Sequence, residues 1–231
     1  MKRLGLLGGM SWESSIEYER LINTAVRTEL GGTASADLIV RSYDFRHIEA
    51  LQEAGAWGEL GEILSKDAVM LETAGADAIV LCTNTMHKVA DAIVDCIDIP
   101  MIHIADATAA AVIDAGVSTV AVLGTRYTME QDFYTDRLAS HGLTVLIPDE
   151  PGRTTVHDVI FDELVRGVTT EPSREAYLEV IDRLITAGAQ GVIAGCTEIE
   201  LLIAPDDVNV PYFPTTAIHA AAAASFALAD R

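Results

Sequence analysis

Residues 74–85 read Ala-Gly-Ala-Asp-Ala-Ile-Val-Leu-Cys-Thr-Asn-Thr, and residues 187–198 read Ala-Gly-Ala-Gln-Gly-Val-Ile-Ala-Gly-Cys-Thr-Glu. A constant offset of 113 lays Ala74-Gly75-Ala76 on Ala187-Gly188-Ala189 and, without a gap, Thr83 on Cys196. Each copy is a short apolar run that ends on a hydrogen-bonding or reactive residue, where a buried strand would hand over to a helix. Open parallel sheets place their chemistry at that end of the strand. One segment written twice also predicts two equivalent halves.

The repeat extends outward from these segments. Gly5-Leu6-Leu7-Gly8-Gly9 matches Ala121-Val122-Leu123-Gly124-Thr125, Tyr18 and Tyr134 each lie ten residues past the first loop glycine, and Pro100 pairs with Pro211. Strand-length apolar runs are read at residues 3–7, 38–42, 78–81, 101–104, 119–123, 144–147, 191–194 and 210–213, four in each half. Between them, helical patterns cover roughly residues 12–30, 57–73, 86–97, 105–115, 128–140, 154–166, 173–187 and 216–229. Gly31-Gly32 stops the first helix, Thr128 with Gln131 reads as a capping box, and Pro172 sits where a helix begins. The alternation predicts an α/β protein of two pseudo-symmetric domains, each a four-stranded, mainly parallel sheet flanked by helices. The expected boundaries are 1–105 plus 215–231 for the first domain and 106–214 for the second. Packed face to face, the halves would put Thr83 and Cys196 on opposite walls of an interdomain cleft.

Composition narrows the function. A formal charge of −20 argues against nucleic acid or an anionic membrane as a partner, because both require phosphate neutralisation by Lys and Arg. An anionic substrate must then be held by local donors, such as helix N-termini or a few arginines. Apolar residues are spread in short runs without the stretch of about 18 that a membrane span needs, and the chain opens on a strand pattern rather than a signal peptide. A cytoplasmic protein is expected. The three cysteines, Cys82, Cys96 and Cys196, have neither the spacing of a disulfide framework nor that of a metal site, so no metal is expected.

Four strand ends carry candidate chemistry: Gly8-Gly9-Met10-Ser11, Thr83-Asn84-Thr85, Gly124-Thr125-Arg126 and Cys196-Thr197-Glu198. Small residues allow a ligand close to the backbone, and Ser, Thr or Asn can cap the following helix. Gly5-x-x-Gly8-Gly9 lacks the spacing of a dinucleotide fingerprint, and no phosphate-binding loop with its lysine is present, so neither a nicotinamide cofactor nor nucleotide hydrolysis is expected. Cys196 is the sharpest candidate: at a strand end before a helix, its thiolate would be stabilised by backbone donors and the helix dipole, drawing its pKa down. Cys82 points to the opposite face of its strand from Thr83 and reads as core. Cys96 has no chemical companion nearby and reads as structural.

At these residues the chain resembles the cofactor-independent aspartate/glutamate racemases, of the wider superfamily that includes hydantoin racemases and arylmalonate decarboxylases. The similarity is carried by Gly8-Gly9-Met10-Ser11-Trp12-Glu13-Ser14, Thr83-Asn84-Thr85-Met86-His87, Gly124-Thr125 with Thr128-Met129, and Gly195-Cys196-Thr197-Glu198-Ile199. The resemblance implies an active site between two domains, a homodimer, and no pyridoxal phosphate or other cofactor. Two cysteines would flank the substrate's α-carbon, one removing the proton while the other supplies one from behind. The first cysteine of that pair should precede Asn84-Thr85, and Thr83 stands there instead. The internal repeat marks the same vacancy. A hydroxyl is a far weaker acid than a thiol, so the resemblance implies a direction-biased enzyme, with Cys196 and Thr83 as its catalytic pair.

The same resemblance implies that Met10, Ser11, Gln52, Asn84, Thr85, Thr125, Thr197 and Glu198 bind the substrate. Glu198 would bind the α-ammonium or position Cys196, and His87 would tune Thr83. Arg41, Arg46 and Arg126 are candidates for the side-chain carboxylate. Two alternatives stay open: a single-thiol decarboxylase or isomerase of the same superfamily, and a non-catalytic protein that binds acidic amino acids.

Overall fold

Leu4–Gly8 forms the first strand, β1, and all five of its residues are buried. In the computed structural model, which describes residues 1–229, β1 is followed by helix α1 (Trp12–Leu30) and strand β2 (Leu38–Ser42). Helices α2 (Phe45–Glu53) and α3 (Trp57–Thr73) lead to β3 (Ala78–Leu81). A 3-10 segment (Thr85–Val89), α4 (Ala90–Val94), β4 (Met101–Ile102) and α5 (Ile104–Asp114) come next. The second series runs β5 (Thr119–Gly124), α6 (Arg126–Glu130), α7 (Asp132–Ser140), β6 (Thr144–Leu146), α8 (Glu150–Asp162), α9 (Glu171–Thr186) and β7 (Gly191–Gly195). It ends with α10 (Ile199–Leu202), β8 (Tyr212–Pro214) and α11 (Thr215–Leu228).

Two four-stranded sheets result, ordered β2-β1-β3-β4 and β6-β5-β7-β8, and every pairing is parallel. The two orders are the same permutation, as the repeat predicts. The chain divides into one unit of Met1–Ile104 with the described residues from His219 onward, and a second of Ala105–Ile218.

In the first unit the pleat sorts the central strands onto two faces. Leu7, Ile79 and Leu81 pack with Ile48, Leu60, Leu64 and Leu71 of α2 and α3. Leu4, Leu6, Ala78, Val80 and Cys82 pack with Tyr18 and Ile22 of α1 and with Ala220, Ala223, Ala224 and Ala227 of α11. Burial on both faces is why these strands read as continuous apolar runs rather than alternating ones. In the second unit Ala121, Leu123, Val192 and Ala194 pack against Val156, Ile160, Tyr177, Val180 and Ile181 of α8 and α9.

Some local expectations need correction. Residues 43–56 carry no predicted element, yet α2 forms there, capped by Asp44 accepting from Arg46 N at 3.1 Å. The single helix expected over 128–140 is two helices, because Gln131 is extended at φ −105°, ψ 141°. Thr128 is not a cap: Thr125 is, its hydroxyl accepting from Thr128 N at 3.4 Å. The expected helix over 86–97 is a 3-10 segment followed by the short α4. Among the described residues no helix is long and apolar enough to cross a membrane.

Candidate active site

The loops that leave β1 and β3 lie at the ends of adjacent strands, so Met10, Ser11, Thr83, Asn84 and Thr85 share one edge of the first sheet. Ser11 caps α1, its hydroxyl accepting from Ser14 N. Ser15 Oγ accepts from Gly9 N at 2.6 Å and donates to Ser11 O at 3.1 Å, folding the loop back on the helix. Ser14 Oγ reaches Cys82 O at 3.5 Å and ties this loop to the end of β3. Gly9, at φ +82°, lies so close to Tyr43 that a Cβ would sit 2.3 Å from Tyr43 N. No other residue fits there.

Thr83 is partly exposed between buried Cys82 and Asn84. His87 does not meet its hydroxyl. Ile104 N donates to His87 Nε2 at 3.2 Å, which leaves Nδ1 to carry the hydrogen and donate to the Thr83 carbonyl at 2.8 Å. His87 is therefore a neutral imidazole that fixes the backbone of Thr83. Its ring packs edge-on against His103 at 4.4 Å and His219 at 5.8 Å. His219 Nε2 donates to Ile102 O at 2.7 Å while its Nδ1 accepts from the Tyr18 hydroxyl at 2.8 Å. This buried imidazole cluster was not signalled by the sequence, since Tyr18 and His219 are 201 residues apart.

Gln52 is buried and donates to the Met86 thioether at 3.0 Å. The three candidate arginines differ. Arg41 pairs with Asp67 at 2.9 Å and lies over the Tyr43 ring. Arg126 pairs with Glu150 at 3.3 Å and Glu130 at 3.7 Å, and donates to Thr154 at 2.6 Å. Among the described residues, no carboxylate lies within ion-pair distance of Arg46, which is exposed near the start of α2.

In the second unit, β5 and β7 end side by side, with Gly124 opposite Gly195. This edge carries Thr125, Cys196, Thr197 and Glu198. Gly195 allows the strands to close: a Cβ there would sit 2.8 Å from Leu123 O. Thr197 Oγ1 lies 2.8 Å from Thr216 Oγ1, and Thr215 Oγ1 donates to Ala194 O at 2.7 Å, so the start of α11 braces the end of β7.

Cys196 is partly buried, and its Sγ donates to Glu198 Oε2 at 2.9 Å. The expectation of a stabilised thiolate is overturned. Burial first, and then the adjacent Glu198 carboxylate, push the thiol well above its ordinary pKa. The helix that follows, α10, has only four residues, too few to build a useful dipole. Cys196 rests as a thiol. Cys82 is buried in the core with its thiol pushed up by burial, as its strand position predicts, and Cys96 is exposed. Among the described residues no cluster of His, Cys, Asp and Glu could hold a metal ion.

The sequence matches the Asp/Glu/Hydantoin racemase family over residues 7–223. A Yersinia pestis protein described as a candidate Asp/Glu racemase superposes with a TM-score of 0.94 at 52% identity, covering 99% of this chain and 100% of that one. An aspartate racemase homologue from Pyrococcus horikoshii OT3 gives a TM-score of 0.86 at 33% identity, over 99% of this chain and 100% of that one. The broad specificity amino-acid racemase RacX of Bacillus subtilis is 25% identical over 171 residues, 74% of each chain.

Proposed function

Because the chain belongs to the Asp/Glu/hydantoin racemase family, we propose that it is an isomerase that racemises aspartate or glutamate by moving the α-proton, without pyridoxal phosphate. Cys196 carries the proton on one face of the α-carbon. Thr83 serves the other face by relaying a proton through water or by stabilising the charge that develops. The observation that carries this reading is the thiol of Cys196 at the end of β7, hydrogen-bonded to Glu198, with a threonine at the matching position of the repeat. Asn84, Thr85 and Thr197, with the loops at Met10, Ser11 and Thr125, supply donors to the α-carboxylate and the enolate-like intermediate. Gln52 lends the site a polar neighbour. Of the three candidate arginines, Arg46 is the one we assign to the substrate's side-chain carboxylate, since Arg41 and Arg126 already hold carboxylates.

A racemase has an equilibrium constant of one, so kcat/KM must be equal from the two enantiomers. The asymmetry between sulfur and hydroxyl therefore appears elsewhere. From the enantiomer whose α-hydrogen faces Cys196, exchange with deuterated solvent should outrun inversion, whereas from its mirror image the two should proceed together. Cys196→Ser should lower exchange by about 10²–10⁴-fold, and Thr83→Cys should bring inversion closer to exchange. Full activity in Cys196→Ser would sink the assignment. Tight amino-acid binding with no exchange would instead mark a binding protein, and carbon dioxide released from a malonate would mark a decarboxylase. The family's homodimer is expected here as well, and light scattering on the purified protein measures it.

A further inference from the structure

We propose that Cys196 and Glu198 act as one proton-sharing unit, in which Glu198 accepts the thiol proton and so lets the sulfur work as a base. This rests on the racemase reading but assigns Glu198 to the sulfur rather than to the substrate's ammonium group. Three observations support it. The S–H of Cys196 is directed at Glu198 Oε2 at 2.9 Å. The Glu198 side chain is buried, with the residue only 7% exposed, and a buried carboxylate is costly unless another group engages it. The loop is held at both residues, Ile199 N donating to Cys196 O and Leu201 N to Glu198 O, each at 3.1 Å.

The repeat adds a fourth. At the offset that lays Cys196 on Thr83, Glu198 falls on Thr85. The thiol and the carboxylate occur together in one copy, while the other copy carries hydroxyls at both positions. Around the pair, Glu200 of α10 acts on Cys196 and Tyr177 of α9 feels both Cys196 and Glu198, while Tyr212 of β8 and Glu163 just after α8 act on Tyr177 in turn. Every one is an acid, so the thiolate gains no cationic support from them. Passing the proton to Glu198 keeps the charge of the pair at −1. The S–H bond breaks as an O–H bond forms on the carboxylate. The thiolate then takes the α-hydrogen as a proton, leaving its electron pair on the α-carbon, and Glu198 releases its own proton to water. Proton delivery follows the same steps in reverse.

The test follows iodoacetamide alkylation against pH in the protein without substrate, resolved by mass spectrometry so that exposed Cys96 serves as an internal reference. In the wild type the Cys196 midpoint should lie above that of Cys96. Glu198→Gln should lower the Cys196 midpoint, raising its alkylation rate near pH 7.5 by about tenfold. It should also lower the kcat for α-proton exchange by about 10²-fold with KM within about threefold, and Glu198→Asp should recover part of that loss. A midpoint unmoved by Glu198→Gln, with KM raised, would overturn the proposal in favour of a substrate-binding carboxylate. If Glu198→Gln does not fold, a wild-type Cys196 midpoint at or below that of Cys96 overturns it equally. A midpoint that shifts in a protein showing no α-proton exchange would leave the pair standing and remove the racemase reading instead.

Discussion

Gly9 marks how little space the loop after β1 leaves. At φ +82° and with Tyr43 N and O within 2.5 Å of any added Cβ, a Gly9→Ala substitution meets both backbone strain and a clash with main chain. It should cost more than about 2 kcal/mol, read as a lower urea midpoint at unchanged m-value. An unchanged midpoint would show that the loop yields. At this scale the sequence named the positions of Thr83 and Cys196 but misjudged the state of the sulfur. A strand end before a helix suggested a stabilised thiolate, yet α10 is one turn long and the nearest partner of the sulfur is a carboxylate. The spacing Cys-Thr-Glu fixes neither the length of the helix nor the rotamer that turns Glu198 toward sulfur.

Among the elements, the strands were the most legible, because a parallel strand covered on both faces must be apolar throughout, and β3, buried at all four residues, begins and ends where its run does. The helices were less so. Helix α2 is harder to read although Ile48 and Gln52, four apart, face inward, because it is only nine residues long, one of its two buried positions is the polar Gln52, and its cap is a lone Asp. The closeness of β5 and β7 was also hidden. It depends on Gly195, where a Cβ would press to 2.8 Å against Leu123 O, and on Gly124, where one would lie 3.0 Å from Gly195 O. Gly195→Ala should therefore displace the end of β7 that carries Cys196. The expected result is a loss of about 1–3 kcal/mol together with a fall in kcat. Full kcat in a protein of lowered Tm would show that the strand end does not move.

For the molecule as a whole, acid sensitivity follows from His219. Burial holds its imidazole down at about 4, against 6.5 for the exposed residue. Between those values the unfolded chain binds a proton that the native state refuses, so the native state is favoured fully above pH 6.5 and progressively less as pH falls toward 4. The loss should reach about 3 kcal/mol at the lower end. Denaturant unfolding at pH 7 and pH 4.5 checks this against His219→Gln: the stability gap between wild type and variant should narrow on acidification, and a constant gap would contradict it. The sequence by itself determined two like α/β units, the order of their strands along the chain, the core position of Cys82 and the matched placement of Thr83 and Cys196. These follow from local periodicity and repetition, because burial acts on every residue of a strand in the same way. Only the tertiary structure decided that Arg41 and Arg126 are already paired, that His87 holds a carbonyl rather than a hydroxyl, and that Tyr18 meets His219. Such contacts join residues distant in the chain, and their geometry and burial set hydrogen bonds and pKa values that no periodic pattern encodes.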